Sequence, residues 1–323
     1  MAAPAGLPPL VVLAGTTASG KTALSLALAE ELRVSGLASE IVSADSRQVY
    51  RGMDIGTAKV TAAERALVPH HGLDLVDPDQ PFSVADYAAC AAAALAGIAE
   101  RGAVALLVGG TGFYLRSVAR GLAVEELPWD PAVRASVEAR LATEGLPALV
   151  GELRELAPTR AAAVDLRNPR RVVRALEIAR LRGDAPLPQP RGYGGPVLWL
   201  GVRVEPPVLR ERIHTRARAQ FDAGLVEETR ALVARFSPAL ASFSGIGYAE
   251  SLALIEGRLT RDAAIAQDAG RNVVLARHQA TWFRREPEIR WLDATHALPL
   301  DEAAAAVRTY LETLSPRSAR GVS

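Results

Sequence analysis

Cysteine is almost absent. Cys90 is the only one in 323 residues, which excludes a disulfide framework and a cysteine-ligated metal. Lysine is nearly as scarce: Lys21 and Lys59 are the only two, and arginine carries the rest of the positive charge. Net charge is close to zero, at +1, so no global positive field advertises a nucleic-acid ligand; an RNA partner needs a local arginine stripe. Long apolar runs are missing as well. The run Leu10–Ala14 is too short for a secretory signal and has no basic flank. Ala88–Ala99 is short and mostly alanine, which reads as a packed helix and not as a membrane span. These absences point to a cytoplasmic protein without a membrane partner.

What is present is an ordinary globular composition, 49% hydrophobic and 23% charged, enough to build a full core. The length suits about two domains. One stretch organises the chain: Gly15-Thr16-Thr17-Ala18-Ser19-Gly20-Lys21-Thr22, between the apolar run Leu10–Ala14 and a helical pattern from Ala23 to Leu32. Strand, G-x-x-x-x-G-K-T loop and helix together form a phosphate-binding loop. Its backbone N–H groups and the helix N-terminus converge on an anion. Lys21 adds a mobile charge, and the Thr22 hydroxyl is placed to hold a phosphate-bound Mg²⁺.

A second strand, Glu40–Ala44, ends at Asp45, where ligands bind in parallel α/β sheets. Asp45 is therefore either a crevice carboxylate or the N-cap of a helix starting near Ser46. Leu73–Val76 reads as the third strand. His70 and His71 resemble a metal pair but have no third ligand at a useful spacing. Ser83 caps a helix over Val84–Glu100, with Asp86 at its third position. The strand Val104–Val108 ends in Gly109-Gly110-Thr111, where an ordinary ATPase carries an acid. Thr111 either serves a substrate or caps a helix over Phe113–Arg120.

From Glu125 the texture turns helical. Asp130 and Pro131 start one helix, and helical patterns run through Arg140, Leu146–Leu156 and Arg170–Leu181. A Pro/Gly-rich linker, Gly183–Pro196, ends this stretch. Val197–Val202 returns to strand, and helices follow over 207–223, 225–236, 248–256 and 261–285. Trp291-Leu292-Asp293 reads as an edge strand, Asp301–Leu314 as a closing helix, and Ser315–Ser323 as disordered. The expectation is an α/β fold: a P-loop NTPase-like parallel sheet core flanked by helices (1–124 and 197–323) with an all-helical insertion (125–196).

Taken together, the motifs resemble one family, the bacterial tRNA dimethylallyltransferases, which prenylate the adenosine beside the anticodon. The resemblance runs nearly end to end. It rests on the loop Gly15–Thr22 and on the block Ser43-Ala44-Asp45-Ser46-Arg47-Gln48-Val49-Tyr50-Arg51-Gly52-Met53-Asp54-Ile55-Gly56-Thr57-Ala58-Lys59. Further along it includes Gly109-Gly110-Thr111, Arg171-Val172-Val173-Arg174-Ala175-Leu176-Glu177, Gly247-Tyr248 and Gln279-Ala280-Thr281-Trp282-Phe283-Arg284.

The resemblance implies transfer of a five-carbon prenyl group from dimethylallyl diphosphate to N6 of adenosine 37, in tRNAs that read codons starting with U. It implies a loop that holds diphosphate, Mg²⁺ at Thr22, and Asp45, Thr111, Lys21 and Arg216 as the catalytic set. It implies that Asp45, Ser46, Arg47, Gln48 and Thr111 meet the adenine. Arg134, Arg170, Arg171 and Arg174 on the insertion are expected on the tRNA, with Gly247, Tyr248, Arg277, His278, Gln279, Thr281, Trp282 and Arg284. A monomer is expected. Three positions depart from the family pattern: Asn272, Val273 and His278. The competing readings are a P-loop kinase, which would consume ATP, a P-loop protein that holds RNA without chemistry, and a prenyltransferase acting on free AMP or ADP.

Overall fold

The computed structural model describes residues 6–314. Leu122–Arg191 forms one compact unit, and the chain on either side of it, through Gly121 and from Gly192, forms the other. The expectation for Ser315–Ser323 lies outside the described residues.

The larger unit opens with β1 (Leu10–Gly15), α1 (Lys21–Val34), β2 (Ser39–Ser43), α2 (Ala62–Leu67), β3 (His70–His71), α3 (Val84–Glu100), β4 (Val104–Gly109) and α4 (Gly112–Ala119). The smaller unit holds α5 (Pro131–Leu156), α6 (Pro158–Ala163) and α7 (Pro169–Arg182). The larger unit then resumes with β5 (Val197–Arg203), α8 (Pro206–Asp222), α9 (Leu225–Val233), α10 (Tyr248–Ile255), α11 (Arg261–Phe283), β6 (Arg290–Asp293) and α12 (Leu300–Leu314).

The six strands form one parallel sheet in the order β3-β2-β4-β1-β5-β6. Every residue of β1 and β4 is buried, because both sheet faces are covered, as parallel sheets require. One face packs Val11, Leu13 and Leu106 against Leu24 and Leu28 of α1 and Val307 of α12. The other packs Leu10, Val12 and Leu107 against Tyr87 and Leu95 of α3, Leu115 of α4 and Phe283 of α11. A third cluster joins α8 to α11 around Met53, Phe221, Phe243 and Tyr248.

Ser83 and Asp86 form the expected capping box on α3. The third strand differs from expectation. It is His70–His71, paired to β2 at Ile41 and Val42, and not Leu73–Val76. Gly72 (φ +79) and Asp74 (φ +55) turn the backbone out of the extended path, and Leu75 N–H donates to the Val49 carbonyl, outside the sheet. His71 Nε2 lies 2.6 Å from the buried Glu40 carboxylate, which Arg101 also holds.

In the smaller unit, Asp130 accepts from the N–H groups of Ala132 and Val133 and caps α5. That helix kinks at Gly145, just before Pro147, because proline removes a backbone donor and its ring clashes with the preceding turn. Val137, Leu149 and Leu153 of α5 meet Val172, Val173 and Leu176 of α7 in a core of their own.

Candidate active site

A crevice of about 920 Å³ opens in the larger unit, at the C-terminal ends of β1, β2 and β4. Residues 17–23 form one wall. Gly20, at φ +92, is the N-cap of α1, and this left-handed conformation turns the first helical N–H groups toward the crevice. Those groups have no partner within the helix. Ala18 also sits in the left-handed region, at φ +59, a conformation that costs a residue with a Cβ roughly 1–2 kcal/mol.

Two cations share this wall. Lys21 Nζ donates to the Thr16 carbonyl at 2.5 Å. Burial pushes the ammonium down from 10.5 to about 8; Asp45 pulls it back up, and Arg216 pushes it further down. Arg216 of α8 donates through Nη2 to Thr17 Oγ1 (2.6 Å) and to Asn272 Oδ1 (3.2 Å). Burial lowers its guanidinium too, with Asp268 and Asp45 opposing. Arg216 Nε and Ser19 Oγ are buried without partners, and buried polar atoms are rarely left so unless a ligand or water satisfies them. Neither cation forms an ion pair among the described residues. Two desolvated cations at a helix N-terminus make a site for a multiply charged anion.

Opposite lies the end of β2. Asp45 does not cap a helix, because the chain turns here. Its Oδ1 accepts from Arg47 N–H at 2.8 Å, a side-chain turn typical of aspartate, while Oδ2 has no donor among the described residues. Thr111 is the N-cap residue of α4 but makes no capping bond. Its hydroxyl instead accepts from Ser46 N–H at 3.1 Å, tying β4 to β2. Gly109 is required here, since a Cβ would stand 2.1 Å from the Ala44 carbonyl. Gln48 accepts from Ser43 Oγ and donates to the Thr57 carbonyl, so it joins β2 to the 53–59 loop. Arg47 is exposed.

Two residues outside the expected set hold that loop. Lys59 Nζ is buried and donates to the Tyr50 carbonyl, Asp54 and Asp74. Glu228 of α9 accepts from the N–H groups of Asp54, Ile55 and Gly56 and from the Tyr248 hydroxyl. Tyr248 lies against Gly56, where a Cβ would come within 2.5 Å of its ring. Gly247 begins α10 at φ +91. Lys59 falls within the Ser43–Lys59 block, but no spacing in the sequence points to Glu228.

On α11, Gln279 is engaged within the protein. Its Oε1 accepts from Thr17 N–H at 2.7 Å and its Nε2 donates to the Gly110 carbonyl at 3.0 Å. Trp282 lies against Gly112 and under the Arg116 guanidinium, with its Nε1 buried and unpartnered. Arg277, His278, Thr281 and Arg284 are exposed; Thr281 bonds back to the Arg277 carbonyl, and Arg284 to Thr281. Of the three departures, Asn272 supports Arg216 and Asp268. Burial pushes Asp268 up to about 6, and the Asn272 bond opposes this. Val273 lines a separate apolar cavity of about 400 Å³ behind Gly15 and Thr16.

In the smaller unit, Arg134 and Arg174 both reach the fully buried Glu177, while Arg170 and Arg171 lie exposed at the start of α7.

A glycine-bounded loop between the first strand and first helix of a parallel sheet, with its ligand crevice at the strand ends, defines a P-loop NTPase-like α/β protein. The family model described as IPP transferase matches residues 48–286. A tRNA dimethylallyltransferase of Roseiflexus sp. (strain RS-1) is 44% identical, over 94% of this chain and 99% of its own. One from Bifidobacterium longum is 41% identical, over 92% and 90%. The crystal structure of the tRNA isopentenylpyrophosphate transferase from Bacillus halodurans superposes with a TM-score of 0.70 at 36% identity, covering 95% of this chain and 97% of that one. The chain belongs to the IPP transferase family.

Proposed function

We propose that this protein transfers the dimethylallyl group of dimethylallyl diphosphate to N6 of adenosine 37 in tRNAs that read codons starting with U. The observation that carries the reading is the pairing, in one crevice, of two desolvated cations at a helix N-terminus with a carboxylate that keeps one oxygen unengaged. The C1–O bond of the donor breaks, its electrons leave with diphosphate, and the N6 lone pair forms the new bond to C1. Lys21, Arg216 and the loop N–H groups meet the charge that grows on the leaving oxygen; such pre-aimed donors are usually the largest catalytic contribution. An exocyclic adenine amine is a poor nucleophile because its lone pair is delocalised into the ring. Asp45 takes the N6 proton as the bond forms. Thr111 and Ser46 fix the floor on which the base rests.

Among the described residues no group of three His, Cys, Asp or Glu could hold a metal by itself. Thr22, exposed at the head of α1, fits the sparse protein contribution usual for Mg²⁺ bound with a phosphate ligand. When bound there, the ion supplies further neutralisation of the diphosphate. The protein acts as a monomer in the cytoplasm on this reading; no helix among the described residues is long and apolar enough to cross a membrane.

The deciding assay incubates the protein with Mg²⁺, labelled dimethylallyl diphosphate and either unmodified tRNA or AMP, with and without ATP. Label in tRNA alone, independent of ATP, is the expected result. Label in AMP moves the acceptor to a free nucleotide, and ATP consumption without transfer makes the protein a kinase.

A further inference from the structure

Of the four tryptophans, Trp199 is buried, Trp282 and Trp291 are half-buried, and Trp129 stands 69% exposed. An indole is among the side chains a fold gains most by covering. Trp129 is nevertheless held on a fixed backbone. The carbonyl of Pro128, just before it, accepts from Arg174 Nη1 at 2.9 Å. The N–H of Asp130, just after it, donates to Glu177 Oε1 at 3.4 Å, and the Asp130 carboxylate caps α5. Prolines at 128 and 131 stiffen the segment further. The indole is therefore presented in one place, with its ordering cost met before any partner arrives.

Its surroundings name the partner's chemistry. Arg174 touches the Pro128 carbonyl, and Arg170 and Arg171 lie four and three residues earlier on α7, hence on the same side of that helix. Both are exposed and form no ion pair among the described residues. Arg174 is itself paired with Glu177, which leaves Arg170 and Arg171 as the free cations one helical turn from the Trp129 segment. Unpaired guanidiniums beside an exposed, rigid aromatic ring are how proteins hold unpaired nucleotides, cations meeting phosphates and a base stacking on the ring. We propose that Trp129 is a stacking platform for an unpaired base of the RNA acceptor. This rests on the tRNA reading above and adds to it a contact on the smaller unit.

The experiment measures tRNA affinity across a salt series for wild type, Trp129→Ala and Trp129→Phe, with melting temperature and the KM for dimethylallyl diphosphate alongside. Loss of one stacked base weakens binding by about five- to a hundred-fold. The salt slope stays unchanged because no charge is lost, the phenylalanine variant recovers most of the affinity, and both melting and donor KM match wild type. Trp129→Ala binding tRNA as tightly as wild type overturns the platform, and so does a variant whose only change is in self-association, which makes the indole a protein contact. Wild type that binds no tRNA refutes the functional reading itself. Wild type that binds and prenylates tRNA, matched by Trp129→Ala, refutes the platform alone.

Discussion

Burial of Lys21 destabilises the unliganded fold, and that can be measured without any turnover assay. A lysine lowered from 10.5 to about 8 by burial stays protonated at pH 7 but holds its proton less tightly than the unfolded chain does. The folded state therefore carries a penalty of about 3.5 kcal/mol at neutral pH, at roughly 1.4 kcal/mol per pKa unit. Because the unfolded chain binds the extra proton between about 8 and 10.5, the stability of the unliganded protein from this group rises with pH through that window. Lys21→Met removes the penalty and also the charged bond to the Thr16 carbonyl, worth about 1.5–3 kcal/mol. At pH 7 the variant should thus be as stable as wild type or more stable, by up to about 2 kcal/mol. At roughly 2–4 °C per kcal/mol for a unit of this size, the gain reaches about 8 °C. Whatever the bond contributes, the advantage must shrink by about 3.5 kcal/mol as pH climbs from 7 to beyond 10. Diphosphate reverses the argument: its charge restores the ammonium, so binding above pH 8 takes up a proton, visible by calorimetry in buffers of different ionisation enthalpy. Pyrophosphate should raise the melting temperature of wild type more than that of Lys21→Met, which keeps Arg216 and the loop N–H groups. A difference between the two proteins that does not change with pH, or equal stabilisation by pyrophosphate, would refute the reasoning.

Asp45→Ala should leave the fold intact and slow prenyl transfer by about two to four orders of magnitude; single-turnover rates near wild type would remove Asp45 from the role of base. Gln279→Met breaks the bonds to Thr17 N–H and the Gly110 carbonyl, at about 1 kcal/mol each. The KM for dimethylallyl diphosphate should rise roughly ten- to thirty-fold while tRNA affinity stays the same, and the opposite split would make Gln279 an RNA contact after all. Arg171→Ala should weaken tRNA binding and flatten its log–log salt dependence by about 1; an unchanged slope counts that arginine as a bystander.

The parts of the site legible in the sequence are those whose partners are neighbours in the chain. The loop from Gly15 to Thr22 is one strand end and one helix start, so its spacing alone states the anion site. Asp45 follows from the end of β2 by the same logic. The capping boxes are equally local: Ser83 with Asp86 was legible, and Thr61 with Glu64 on α2 carried the same signal for a helix too short to show a period. β3 offered nothing to read, because two residues have no alternation. Its place is set by pairing to β2 and by Gly72 and Asp74 turning the chain away.

What the sequence could not show is how distant groups share one crevice. Arg216 reaches Thr17 across 199 residues, Gln279 reaches the same residue's N–H across 262, and Glu228 gathers three N–H groups of the 54–56 turn from more than 170 residues away. No periodicity encodes such pairs; they arise only when α8, α9 and α11 pack around Met53, Phe221 and Tyr248. The family pattern supplied Arg216 and Gln279 as names without geometry, and the geometry changes what they do. Arg216 holds the loop through Thr17 while its Nε stays open to a ligand. Gln279 spends both ends of its amide between the anion loop and the β4 turn, so it sets the distance between that loop and Thr111. On the proposed function that distance would decide whether C1 and N6 meet in line, because misplacement by about 1 Å can cost a hundredfold in rate. The apolar cluster behind these helices therefore positions Gln279 and Arg216 in the crevice wall.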